Sequence, residues 1–121
     1  MDANEYQQLA GRTLIDGPDA TYSGEEIMLV WNALGLTGEA GEVADLIKKG
    51  VFHRHDINRE VLVDELGDVL WYLAALCTRL GYPLGLVMAR NISKLEKRYP
   101  DGYSSEQSMK RPDVSKREPA P

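Results

Sequence analysis

NALGLTGEAGEVADLIKK (Asn32–Lys49) and DELGDVLWYLAAL (Asp64–Leu76) decide how this chain folds. In the first stretch and upstream of it, Ile27, Met28, Trp31, Leu34, Val43, Leu46 and Ile47 recur at three- and four-residue spacing. That period predicts a helix over 24–49, opened by Ser23 as N-cap and stopped at Gly50. The second stretch lies in a helix expected over 59–80, capped by Asp56 or Asn58 and ended by Gly81 and Pro83. A further helix is expected over 83–98, between Pro83 and Pro100, and a short one over 4–14. No strand-like alternation occurs, so the expected fold is an all-α bundle of about four helices. Gly35, Gly38 and Gly41 each cost about 1 kcal/mol relative to alanine inside a helix, so each needs a reason: close packing, a kink or ligand access.

Those two helices carry acids where solvent does not explain them. Glu39 and Glu42 are spaced i, i+3, as are Glu65 and Asp68, so each pair shares a helix face. A solvated acidic face is the ordinary explanation of such a pair. With Glu39 at zero on a helical wheel, however, Val43, Leu46 and Met28 fall within roughly 40° of it, and from Glu65 the same holds for Val61, Val69, Tyr72 and Leu76. If the two apolar faces pack together, four carboxylates converge in a partly buried space, where unpaired anions are costly. Hard divalent cations such as Mg²⁺ or Mn²⁺ resolve the conflict and imply phosphate chemistry. A di-iron site needs Glu-x-x-His on two helices, and no His follows Glu42 or Glu65 at that spacing.

The helix over 83–98 supplies the opposite sign. Asn91, Lys94 and Arg98 follow i, i+3, i+7 and share a face with Leu84, Val87 and Leu95, as phosphate ligands or as snorkelling rim residues. Trp31, Asn32, Trp71 and Tyr72 are candidates to stack on or hydrogen-bond a base, with core packing as the alternative, and Tyr72 and Asn32 share a face with the acids. His53 and His55 fall in a loop with spacing that suits no zinc motif. Cys77 has no partner for a disulfide and packs as a small hydrophobe, in keeping with a reducing cytoplasm.

The 121 residues fit one domain. The longest apolar run, Val69 to Cys77, is too short for a membrane span. Residues 1–89 hold 6 Lys+Arg against 14 Asp+Glu, and residues 90–121 hold 8 against 5, which sum to the net charge of −5. An acidic body argues against gripping a nucleic-acid backbone. Residues 1–103 are expected to form the domain and 104–121 a polar tail, basic from Lys110 and ordered only where it docks.

With NISKLEKRYPDGYS (Asn91–Ser104), the two opening stretches resemble the MazG-like branch of the all-α nucleoside triphosphate pyrophosphohydrolases. The hallmark Glu-x-x-Glu, spacer, Glu-x-x-Asp stands here as Glu39, Glu42, Glu65 and Asp68, with 22 residues between the pairs. The resemblance spans about 32–104. It implies a compact helical core that forms a homo-oligomer, a tetramer built as a dimer of dimers or a dimer, with sites at subunit contacts. The implied reaction is Mg²⁺-dependent hydrolysis of a nucleoside triphosphate to the monophosphate and pyrophosphate. The four acids then serve as metal ligands and catalytic groups, Asn91, Lys94 and Arg98 offset phosphate charge, and Lys48 or Lys49 reaches the phosphates across a subunit contact. Relatives with this scaffold range from broad enzymes to ones preferring dCTP or dUTP, and small stand-alone members act on dGTP, so the base stays open. A non-catalytic nucleotide-binding or oligomerisation module and phosphoribosyl-ATP pyrophosphohydrolase are the alternatives.

Overall fold

The structure, a computed structural model, describes residues 1–15 and 21–114. They form five helices: α1 (Ala3–Gly11), α2 (Gly24–Phe52), α3 (Arg59–Leu80), α4 (Leu84–Arg98) and α5 (Ser105–Lys110). Among the described residues the only non-helical pairing is an isolated bridge between Pro100 and Gly102, so the all-α expectation stands.

The ends of the helices follow from local chemistry. Ser23 and Glu26 form a reciprocal capping box: the Ser23 Oγ accepts from the Glu26 amide at 3.1 Å, and the Glu26 carboxylate accepts from the Ser23 amide at 3.0 Å. These bonds, that from the Ser23 backbone first, hold the Glu26 carboxyl below its usual range. Asn58, rather than Asp56, caps α3, its Oδ1 accepting from the Glu60 and Val61 amides at 3.1 and 3.2 Å. Gly81 closes α3 at φ 74°, a left-handed position that favours a residue without Cβ. Gly50 does not stop α2, which continues to Phe52. Ile57, returning from the α2–α3 turn, packs onto the bare face of Gly50, where a Cβ would collide with it. This glycine is a packing notch and not a terminator.

Helix-to-helix contact lies between α2 and α3 and, to a much smaller extent, between α3 and α4. Among the covered residues of α2, Met28, Asn32, Gly35, Leu36, Glu39, Val43 and Leu46 trace one helical stripe, and Leu62, Glu65, Val69, Tyr72 and Leu76 are partly covered on α3, the helix it packs against. The wheel therefore puts Glu39 and Glu65 on the contact stripe as the structure has them, whereas Glu42 and Asp68 are exposed, as is Val61, whose place Leu62 takes. No hydrophobic side chain among the described residues is fully buried. Trp31, Leu34 and Trp71 are 62%, 67% and 61% exposed. No helix among these residues is long and apolar enough to cross a membrane.

The expected tail is folded in part. Its first residues form α5, capped by the Ser104 Oγ, which accepts from the Gln107 amide at 3.1 Å. Residues 115–121, with the rest of the expected basic tail, lie outside the described residues, as does 16–20 of the loop before α2.

Candidate metal centre

Halfway along the α2–α3 contact, Glu39, Glu42 and Glu65 each offer a carboxylate oxygen, and the three oxygens lie within 4.8 Å of one another. Helical geometry brings them there. Glu39 sits on the contact stripe, Glu42 one turn on at its edge, and Glu65 faces both from α3. The Oε2 of Glu65 is buried and has no hydrogen-bond partner. Two ionised carboxylates have no donor between them, so only a shared proton could link Glu65 to Glu42. That prospective bond, then burial, then the charges of Glu42, Glu39 and Asp68, push the Glu65 carboxyl above its usual range. Asp68 is outside the tight set but close enough for its charge to act on Glu65.

An open cleft of about 420 Å³ adjoins the three acids, lined by Gly38, Gly41, Glu42, Asp45, Leu46 and Glu65. The three interior glycines of α2 divide between two causes. At Gly35 a Cβ would collide with the Tyr72 ring, so that glycine admits close helix packing. At Gly38 and Gly41 nothing lies within 4 Å of a would-be Cβ, and both face the cleft, so here the missing side chains leave room for a ligand. An all-oxygen acid set with an orphaned buried acceptor, beside a cleft kept free of side chains, fits a hard divalent cation.

The other expected site residues divide by location. Lys48 and Lys49 are held by Asp45 at 3.2 and 2.5 Å, and these bonds, that of Lys49 first, keep the Asp45 carboxyl below its usual range. Asp45, which lines the cleft, is absent from the sequence-derived set. The signal was available, since it extends the Glu39, Glu42 spacing by three more residues. Tyr72 lies against Gly35 and meets Trp71 edge-on, with ring centroids 4.9 Å apart. Asn32, only 5% exposed, accepts from the Arg79 Nε at 2.7 Å and lines a second hollow with Trp71, Ala74, Ala75 and Thr78. Asn91 and Lys94 are exposed on α4 and do not line the acid cleft. Arg98 is not free: its Nε and Nη2 each donate to Asp113 at 2.6 Å.

Residues 31–103 match the family described as the MazG nucleotide pyrophosphohydrolase domain. The chain belongs to the MazG nucleotide pyrophosphohydrolase family. The match takes in all four acids of the MazG signature, α2 from Trp31 onward and the whole of α3. The chain is also 42% identical over 74 residues to the Gene 37 protein of Mycobacterium phage L5, an alignment covering 58% of this chain and 65% of that protein. The chain thus spans somewhat less than two thirds of that relative's length. No solved structure matches this MazG chain.

Proposed function

We propose that this chain hydrolyses nucleoside triphosphates to the monophosphate and pyrophosphate, with Mg²⁺ or Mn²⁺ held by Glu39, Glu42 and Glu65 and with Asp68 beside them. The buried, partnerless Oε2 of Glu65 supports this reading, because an anion held there beside two other carboxylates is costly and a divalent cation relieves that cost. When bound, a divalent ion supplies charge neutralisation for the triphosphate and Lewis acidity at the attacked phosphorus.

The chain's own residues do the rest. Gly38 and Gly41 leave the cleft open to the phosphates, and Glu39 or Glu42 accepts the proton of the attacking water. Lys48 and Lys49 transfer from Asp45 to phosphate oxygens, since exposed ion pairs of this kind hold weakly. Asn91 and Lys94, exposed on α4 and outside the cleft of their own chain, bring a donor and a cation to a site completed at a subunit contact. Arg98 drops out of this set because Asp113 occupies its guanidinium. The sugar and base extend along α2 past Tyr72 toward Asn32, which at 1.5 Å per residue lies about 10 Å from Glu39. The substrates are a broad range of NTPs and dNTPs, dGTP included.

The working form is a homo-oligomer, a dimer or tetramer, in a reducing cytoplasm. Its support is the large exposed apolar surface, including Trp31, Leu34 and Trp71. The chain exposes 10504 Å², against about 6,500 Å² expected for a folded monomer of its mass.

The test is incubation with each common NTP and dNTP and with phosphoribosyl-ATP, with Mg²⁺ or with EDTA, followed by anion-exchange separation. Monophosphate and pyrophosphate, lost in EDTA, are the expected products from the NTPs and dNTPs. Diphosphate and phosphate, turnover of phosphoribosyl-ATP alone, or no turnover would overturn the proposal.

A further inference from the structure

The α4 cation nearest the chain's C-terminus is engaged by the chain itself. Asp113 is fully buried at its side chain and Arg98 is 16% exposed. The two meet fork to fork, Nε to Oδ1 and Nη2 to Oδ2, both at 2.6 Å. Arg111 adds a longer contact at 3.4 Å from its Nε to the same Oδ1. The backbone between is shaped for this meeting. α5 has only six residues, too few to persist unaided, and it ends at Arg111 in the left-handed region, φ 49°, which turns the chain back toward α4. Tyr99 and Tyr103 pack with ring centroids 5.3 Å apart inside the same fold-back.

A phosphate ligand offers its donors outward, whereas Arg98 is nearly covered and both oxygens of its carboxylate partner are engaged. We propose that Arg98 and Asp113 form a clasp that locks residues 99–114 onto the end of α4, so that Arg98 is a structural residue of the fold and not a substrate ligand. The folded unit then extends past residue 103 to at least residue 114.

Hydrogen–deuterium exchange on the full-length protein tests this. Asp113→Asn and Arg98→Ala are each expected to speed exchange of the 104–114 amides at least about tenfold while the amides of α2 and α3 stay as in the parent, and the double variant should be no faster than either single one, because one interaction is lost in all three. In the unaltered protein, saturating inorganic tripolyphosphate with Mg²⁺ should leave exchange at 104–114 unchanged. Parent-like exchange in Asp113→Asn would overturn the clasp. Release of the segment by tripolyphosphate would overturn it too, since phosphate would then be taking Arg98 from Asp113. Neither outcome bears on the acid site, so the clasp and the proposed reaction fail independently.

Discussion

Asp113 and Glu65 each withdraw carboxylate oxygen from water, and they are treated in opposite ways. Asp113 meets the guanidinium of Arg98 and is fully satisfied within the chain, which holds its carboxyl well below the usual carboxylate range, with Arg98 as the first cause. Glu65 meets Glu42 and Glu39, anions like itself, and its carboxyl is pushed upward. A chain that can neutralise one buried acid so completely leaves the other unsatisfied at the mouth of a cleft. The first arrangement is finished by folding; the second, on the proposed reading, is finished by a cation from solution. Local stability and ligand binding are thus assigned to different acids, about fifty residues apart in sequence.

The largest expected effect follows from removing a member of the unfinished set. Glu42→Gln keeps size and hydrogen bonding but loses the charge, so Mg²⁺-dependent turnover should fall by more than about a hundredfold while the circular dichroism spectrum keeps its helical form. Parent-like activity in that variant would remove the metal centre.

Glycines separate packing from access within a single helix. Gly35→Ala drives a methyl group into the Tyr72 ring and should destabilise by about 1–3 kcal/mol, read as a lower melting temperature. Gly38→Ala meets nothing within 4 Å and gains helix propensity, so it should stabilise by up to about 1 kcal/mol yet lower kcat/KM by narrowing the cleft. A shift of the same sign in both melting temperatures would erase the distinction between the two glycines.

A smaller effect is expected at the clasp. Arg98→Ala and Asp113→Asn should change KM in the same direction and by a similar factor, because they break one structural pair. If Arg98 instead binds phosphate, Arg98→Ala raises KM while Asp113→Asn, which frees the guanidinium, lowers it.

Much of this was legible in the sequence because helical periodicity is a local property. The span of α3, the Ser23 cap and the acids on the contact stripe all follow from residues within one or two turns of each other. Gly50 reads as a stop in the sequence because its partner, Ile57, lies beyond a turn that no wheel depicts. The same limit applies to Arg98: it is correctly placed on α4, but its neighbour Asp113 comes from a segment with no period at all. Asp45 continues the Glu39, Glu42 spacing by one more turn and lines the same cleft, a signal present in the sequence as plainly as the two pairs.

The two carboxylates also part company with pH. An acid whose folded pKa is raised destabilises the fold as pH climbs from its usual value, 4.5 for Glu65, toward the raised one. An acid whose folded pKa is lowered adds stability that is fully present above its usual value, 3.8 for Asp113, and is lost only as pH falls through the depressed one. Metal-free protein should therefore gain thermal stability as pH drops from neutral toward 4.5, with the protection factors of the 104–114 amides, corrected for the intrinsic pH dependence of exchange, unaffected. Thermal melts in EDTA across that window check the first statement, and hydrogen exchange checks the second.

The most direct measurement compares the unaltered protein with Glu65→Gln near neutral pH, at one protomer concentration, melting each in EDTA and again in excess Mg²⁺. In EDTA the variant should melt a few degrees higher, because a neutral amide replaces an anion with no partner. Mg²⁺ should raise the unaltered protein by several degrees and the variant by much less, so that their order inverts. A variant that melts lower in EDTA, with Mg²⁺ shifting both proteins equally, would show that Glu39, Glu42 and Glu65 need no cation.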